Sequence, residues 1–484
     1  NIKINKHKMS KINITAPNLD NNPKLDIIAT NNQPLLSFFN SQGGIGKRYY
    51  NIQLDTNPKF NSKNKISYNK VPESTKFMTQ KLFEDKDKLK DNRKYFWRVQ
   101  AVDSKNNKSP WASSRFFIDT KSDDHFMNLV RVPVKEVVAS SGSNVKNITD
   151  WDDPGENSFW QSTPPGSETH WVKFDFGKKL DISRIWILSS LNGPDNWLKD
   201  FVWQKSTNGK RWTNIASTKI KNNDTFRNIL DFNPVKTRHL RIFITGWHGY
   251  APQINEIVFY SPGKPKIPQT PTSDYVLVVG NQHNGFTFSE LADHIENTGL
   301  GLKTLVVPRY EVSLDMLNKL KRKPVAIVLS GNNADYPLQP MFEYNGEFEI
   351  IRESDIPILG ICCGMQMLAG AFGSTYIRSM GWSDISSMNL ETHKPLTKIK
   401  IRKKSDPIFK GIPNNFTAPE VHGWAIGHVP EQYEVIADSG YVQAIKHKTK
   451  LIYGKQFHAE IKASYNQGVP FIKNFLKLAL DKKN

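Results

Sequence analysis

Cysteine is almost missing from this chain of 484 residues: Cys362 and Cys363 are the only two, and they are adjacent. Neighbouring cysteines rarely bridge each other, so no disulfide framework supports the fold. Long apolar runs are also missing. No stretch reaches the ~18 apolar residues that a helical membrane span needs, and the longest runs, such as Val276–Val279, are strand-sized. Acidic residues are in deficit, with 46 Asp plus Glu against 66 Lys plus Arg, for a formal charge of +20. That balance suits an anionic partner. However, the Lys and Asn residues are spread along the whole chain, no basic block stands out and no nucleic-acid motif occurs, so nucleic acid is not the expected partner. The chain opens on Asn1, and any removed leader would be invisible in it.

What is present points to folded domains. Twelve Trp and 27 Phe can fill cores, which excludes wholesale disorder, and the length suggests two to four domains. Residues 1–16 are polar and basic and read as a tail or a leading strand. From 17 to 120, short alternating runs separated by Asn, Gly, Asp and Pro turns predict a β-sandwich. A second β-rich block spans 124–260. Residues 261–273 are Pro-rich, with proline at about every third position from Pro262 to Pro271, which favours an extended, semi-rigid spacer. From 274 to 484, strands alternate with helices, the pattern of a parallel sheet covered on both faces.

The run Tyr95-Phe96-Trp97-Arg98-Val99-Gln100-Ala101-Val102-Asp103 alternates at period two and leads through Asn106-Asn107 to Ser109-Pro110-Trp111. With the "RYYNIQL" run, this first block resembles a fibronectin type III module, which implies a spacer role. In the second block Ser158-Phe159-Trp160-Gln161-Ser162, Trp171 to Gly177, Ile182 to Ile185, Ser206 to Trp212, Thr237 to Ile242 and Asn255-Glu256-Ile257 follow in order. This ordered set resembles the discoidin (F5/8 type C) family, which includes many carbohydrate-binding modules. The resemblance implies a jelly-roll-like sandwich with ligand loops at one end. There Trp151, Trp197, Trp247 and Tyr250 are the candidate contacts for a glycan or envelope surface. It also implies a structural Ca²⁺ held by oxygen ligands, for which Asp150, Asp153 and Glu256 are the matching acids. The bland alternatives are core packing for the aromatics and a solvated turn for the acids.

The last block carries the chemistry. An apolar strand, Pro357–Leu359, runs into Gly360-Ile361-Cys362-Cys363-Gly364-Met365-Gln366 and then a helical stretch. This is a strand-to-helix nucleophile elbow with Cys in place of Ser: glycines permit the crowded turn, and the helix N-terminus favours thiolate. A thiolate needs a base and an orienter. Tyr453-Gly454-Lys455-Gln456-Phe457-His458-Ala459-Glu460 supplies both, because an i, i+2 pair can sit together at a strand end.

These two motifs resemble the class I (triad-type) glutamine amidotransferases, which read "GICxGxQ" and "GxQFHPE". The resemblance spans 274–481 and implies a flavodoxin-like α/β fold. It also implies Cys362 as nucleophile, His458 as general base then acid, and Glu460 as its orienter. The backbone N–H groups of Cys363 and of the Ser330-Gly331-Asn332 turn become the oxyanion donors, and Gln366 lies beside the substrate. The Val421-His422-Gly423-Trp424 segment fits as well. Asn332-Asn333 replaces the family's Gly-Pro, Met365 a frequent His and Ala459 the usual Pro. These departures put free glutamine as substrate in question, but not the thiol chemistry.

The expected activity is hydrolysis of a glutamine or γ-glutamyl amide through a thioester, with no cofactor. No P-loop or ATP-binding block accompanies it, so ammonia would pass to a separate protein or be lost, and a γ-glutamyl peptidase role is equally open. The modular order resembles that of exported bacterial enzymes and suggests a periplasmic or cell-surface location. The alternative is a catalytically idle protein that binds carbohydrate or lipid through its discoidin block.

Overall fold

The computed structural model describes residues 14–19, 26–74, 78–123, 128–150, 158–163, 169–282, 289–334, 336–372, 377–379, 398–422, 424–426 and 429–483. The chain divides into two compact units, one ending at Thr120 and the other running from Lys121 to the C-terminus.

The described residues of the first unit form seven strands: β1 (Ile27–Ala29), β2 (Leu35–Phe39), β3 (Arg48–Asp55), β4 (Ile66–Pro72), β5 (Met78–Leu82), β6 (Arg93–Asp103) and β7 (Ala112–Ile118). They form a five-stranded sheet ordered β1-β7-β6-β3-β4 and a two-stranded sheet, β2-β5. The period-two pattern seen in the sequence is the cause. Along β6, Tyr95, Trp97, Val99 and Ala101 turn inward, where they meet Leu36 and Phe38 of β2 and Tyr50, Ile52 and Leu54 of β3. Fully burying each Val, Leu, Ile or Phe among them contributes roughly 1.5–3 kcal/mol.

The second unit begins with a β block: β8 (Leu129–Val132), β9 (Glu136–Ala139), β10 (Trp160–Gln161), β11 (His170–Ser189), β12 (Leu198–Ser206), β13 (Thr213–Asn214), β14 (Arg227–Trp247) and β15 (Gln253–Pro262). The order is β10-β15-β11-β14-β12-β13, with β8 added to β15 and β9 to β11. Register shifts after Asp175 and after Ile182 interrupt the long β11–β14 pair, and bulges of this kind bend a sheet around its core. The core is aromatic: Trp160, Phe174, Trp203 and Phe259 are each 1% exposed or less.

The α/β block adds strands β16 (Tyr275–Gly280), β17 (Lys303–Pro308), β18 (Ala326–Leu329), β19 (Ile358–Ile361), β20 (Ile377–Ser379), β21 (Ile399–Ile401), β22 (Asn415–Phe416), β23 (Trp424–Ile426), β24 (Tyr433–Asp438), β25 (Val442–His447) and β26 (Ile452–Lys455). Its helices are α1 (Ser289–Glu296), α2 (Leu314–Lys319), α3 (Asn345–Glu353), α4 (Cys363–Gly370) and α5 (Pro470–Lys483). The parallel part of the sheet is ordered β17-β16-β18-β19-β26, and β25, β24, β21 and β22 extend it antiparallel. This is the flavodoxin-like winding 2-1-3-4-5, whose functional groups gather beyond the carboxyl ends of the strands. Leu291 and Ile295 of α1 and Phe471, Ile472 and Phe475 of α5 cover one face. Met316 and Leu317 of α2, Phe348 of α3 and Met365 of α4 cover the other.

Residues 263–273 contain no helix or strand, as a proline-rich segment dictates. The two blocks they join are nevertheless in contact. The ring of Tyr260 in β15 meets Phe342 edge-on at 5.4 Å between centroids, and Arg131 of β8 reaches Glu343 at 2.6 Å.

Candidate active site

Strand β19 ends at Ile361, and α4 begins at Cys363, so Cys362 alone makes the turn. Its backbone sits at φ 52°, ψ −109°, a region that favours glycine and costs any other residue about 1–3 kcal/mol. Both flanking glycines are sterically required. A Cβ on Gly364 would lie 2.3 Å from the Leu329 carbonyl oxygen, and one on Gly360 would lie 2.5 Å from the Gly364 carbonyl oxygen. The turn therefore forms only with glycine at both ends, and it places Cys362 at the N-terminus of α4. Cys362 is 3% exposed, and its Sγ lies 3.8 Å from the Val421 carbonyl. Cys363 points to the opposite face, where burial lifts its thiol pKa far above the ordinary range.

Strand β26 lies beside β19, with Ile361 opposite Lys455 and Cys362 N–H donating to the Lys455 carbonyl at 2.7 Å. The chain leaving β26 thus delivers His458 and Glu460 next to the elbow. His458 Nδ1–H donates to Glu460 Oε1 at 2.7 Å, which fixes the tautomer with Nε2 free of that bond. Burial disfavours the charged imidazolium. The Glu460 carboxylate and a hydrogen bond with the Cys362 sulfur outweigh it and raise the His458 pKa. Glu460 is itself buried, yet Lys455 and His458 hold its carboxyl far below the usual range. Lys455 donates to Glu460 Oε2 at 2.9 Å and to the Phe457 carbonyl at 2.8 Å. The sequence motifs do not single this residue out. The available signal was a lysine inside an otherwise apolar strand, where a charge must be paired.

The Ser330-Gly331-Asn332 turn follows β18 and is tied to the elbow by Gly364 N–H donating to the Ser330 carbonyl at 3.2 Å. Asn332 uses its side chain internally, donating to Gln339 Oε1 at 2.9 Å and to the Tyr344 hydroxyl at 2.8 Å while accepting from Ala334 N–H. The Gln366 amide nitrogen donates to the Trp424 carbonyl at 2.9 Å and to Gln456 Oε1 at 3.2 Å, so it braces α4 against β23. His422 Nδ1–H donates to the Trp424 carbonyl at 2.9 Å. Burial and the neighbouring His458 charge bring its pKa down to about 4, so it is neutral at pH 7.

The discoidin-block candidates separate. Trp197 is not a ligand contact. It is 1% exposed, packs on Phe226 and donates its indole N–H to the Ser190 carbonyl, because the Pro194–Asn196 turn folds it inward. Trp247 is half-buried and meets the His170 ring edge-on at 5.0 Å. Tyr250 is 63% exposed. Trp151 and Asp153 lie outside the described residues. Glu256 is buried within β15 opposite Leu188, and Asp150 is exposed. Among the described residues no group of three His, Cys, Asp or Glu converges as a metal site.

Known proteins resemble two blocks of the chain. Residues 288–478 match the family model described as glutamine amidotransferase class-I, and residues 134–257 match the F5/8 type C domain. The chain is 31% identical to the glutamine-hydrolyzing GMP synthase subunit of Pyrococcus furiosus over 185 residues, which are 37% of this chain and 87% of that relative. To the Methanocaldococcus jannaschii protein of the same description it is 38% identical over 132 residues, 27% of this chain and 64% of that relative's length. Among solved structures, the family 32 CBM from Clostridium perfringens NanJ in complex with galactose covers 28% of this chain and 99% of its own, at 18% identity and a TM-score of 0.24. The chain belongs to the class-I glutamine amidotransferase family.

Proposed function

We propose that this chain hydrolyses the side-chain amide of glutamine, or of a γ-glutamyl compound, through a thioester on Cys362. The observation that carries the reading is the strained elbow at Cys362 set beside the hydrogen-bonded His458–Glu460 pair. In this mechanism the Cys362 thiolate attacks the carboxamide carbon, and backbone N–H groups of Cys363 and of the Gly331-Asn332 turn receive the oxyanion. Two such donors lower the barrier by several kcal/mol. The C–N bond then breaks, and His458 Nε2 gives its proton to the departing nitrogen, releasing ammonia. Next, His458 takes a proton from water, whose oxygen attacks the thioester. The acid leaves and the thiol is restored.

The description of the relatives as glutamine-hydrolyzing favours glutamine and a separate ammonia-accepting protein. The discoidin block, with Tyr250 exposed, would hold the chain to a glycan or envelope surface in an exported setting, with the first unit as a fibronectin-like spacer. The test is release of ammonia and glutamate from glutamine by the wild type and by Cys362→Ala. Equal release from both would overturn the assignment.

The near-complete burial of Cys362 favours a second reading, an idle site on a surface-binding protein. An electrophilic glutamine analogue separates the two: a competent site is labelled at Cys362, and an idle one is not.

A further inference from the structure

The discoidin block pairs a buried cation with a carboxylate of the amidotransferase block. Arg131, on β8, is 2% exposed in its side chain, and its Nε and Nη2 donate to Glu343 Oε1 and Oε2, both at 2.6 Å. Glu343 is fully buried in the turn Met341–Tyr344. The Tyr260 hydroxyl donates to its Oε1 at 2.7 Å, and Arg309 Nη2 lies 3.0 Å from its Oε2. One carboxylate is thus shared by two arginines, one from each block. Stacking closes the site: Arg131 lies over the Tyr310 ring at 4.1 Å, and Arg184 lies over Phe342 at 4.7 Å.

The same arginine pair leads to the reaction centre. Arg309 Nη1 donates to the carbonyls of Asn281 and Gln282, beyond the end of β16. Its guanidinium stacks on Tyr344 at 5.0 Å. The Tyr344 hydroxyl receives the Asn332 amide and lies 3.9 Å from Cys363 Sγ. Asn281 N–H in turn donates to Ser330 Oγ at 2.9 Å. The turn that would receive the oxyanion is therefore held from two sides by groups that Arg309 orients.

We propose that Arg131 is a positioning residue for the amidotransferase site, so that the discoidin block is a structural part of the catalytic unit as well as a binding module. The inference rests on the thioester reading of that site. Its physical basis is competition for Arg309. While Arg131 occupies both oxygens of Glu343, Arg309 needs only one Nη2 contact there and keeps its Nη1 for the two carbonyls. Without Arg131, a buried carboxylate is left with a single cation, and a bidentate pair is the strongest arrangement available to it. Arg309 then turns toward Glu343 and releases the carbonyls, and the Asn332 turn loosens.

The test uses the full chain with Arg131→Met and Arg131→Lys, reading steady-state glutamine hydrolysis and amide hydrogen exchange across residues 330–334. Arg131→Met should lower kcat about ten- to hundred-fold, the scale of a small misplacement of reacting groups, with KM within about twofold. Exchange at 330–334 should quicken, while that of β16 and α5 stays as in the wild type. Arg131→Lys should recover part of both. Unchanged exchange at that turn in a folded Arg131→Met protein overturns the inference. If the wild type itself releases no ammonia, the thioester reading fails, and the exchange measurement still decides the positioning claim. Should Arg131→Met not fold, Arg131→Lys, whose ammonium cannot reproduce the bidentate pair on both Glu343 oxygens, takes its place. It should quicken exchange at 330–334, and an unchanged turn there counts against the inference.

Discussion

Lys455 Nζ lies 2.9 Å from Glu460 Oε2, the carboxylate oxygen that His458 does not use. Glu460 therefore works between two cations, and both oxygens are committed. Lys455 is fully buried, and burial draws its pKa below the ordinary lysine value even though Glu460 pulls the other way. Breaking one side of such a pair leaves an uncompensated buried charge. Lys455→Met should destabilise the chain by about 3–5 kcal/mol, and so should Glu460→Gln. The double variant should be more stable than the sum of the two losses predicts, because the charges leave together. Denaturant midpoints of the four proteins measure this, and strictly additive losses would refute the coupling.

Glu460 also sets an acid limit. Its folded pKa is depressed below the unfolded value of about 4.5. Its stabilising contribution is therefore present above pH ~4.5 and is lost as pH falls through the folded value. Thermal melts of the wild type should drop steeply below pH 4.5, and Glu460→Gln should flatten that limb while starting from a lower Tm at pH 7. Parallel curves for the two proteins would contradict the assignment.

The strained backbone of Cys362 inverts a familiar order. At most positions glycine is less stable than alanine by roughly 0.5–1 kcal/mol. At φ 52°, ψ −109° the order should reverse, with Cys362→Gly more stable than Cys362→Ala by about 1 kcal/mol. Both variants should lack thioester chemistry. Gly364→Ala, by contrast, drives a Cβ against the Leu329 carbonyl and should cost both fold stability and activity. Equilibrium unfolding ranks the three, and alanine above glycine at 362 would show that the elbow carries no strain.

Much of this site was legible because its signals are local in sequence. The elbow needs two glycines within five residues of a strand end, and the imidazole–carboxylate pair needs only a spacing of two. The flavodoxin-like winding follows from the alternation of apolar strands and amphipathic helices. Three features were not legible, each for a physical reason. Arg131 and Glu343 meet 212 positions apart, a distance over which no periodicity operates. Trp197 follows a Pro-Asp-Asn turn that reads as a loop, but the turn tucks the indole beneath the surface. Lys455 ends an apolar strand, which tells that its charge must be paired but not with what; the partner, Glu460, is set by the turn that follows β26.

The aromatic residues of the discoidin block divide by burial, and substitution should divide them the same way. Trp197→Ala empties a core site and should cost about 3–5 kcal/mol. Tyr250→Ala removes a largely exposed ring and should leave stability within about 0.5 kcal/mol. Thermal melts separate the two effects, and a Tyr250→Ala loss as large as that of Trp197→Ala would contradict the division.

Glu347 makes an opposite pH prediction. It is fully buried in α3, and its carboxylate contact is an Asn281 amide at 3.3 Å on Oε2. Burial lifts its pKa to about 8, against the pull of the Asn281 hydrogen bond and the Arg309 charge, so the folded chain keeps this carboxyl protonated at neutral pH. The unfolded chain releases the proton near its ordinary 4.5. Between these values the folded state binds one more proton than the unfolded state, so stability falls as pH rises, by up to about 1.4 kcal/mol per unit, and levels off above pH 8. Glu347→Gln preserves the shape and an amide donor without titrating. Its Tm relative to wild type should be near parity or below at pH 4.5 and should climb above it by pH 8. A difference that stays constant across that range would mean that Glu347 is ionised in the folded chain, and that the Asn281–Ser330 clasp beside the elbow holds a buried anion instead of a neutral acid.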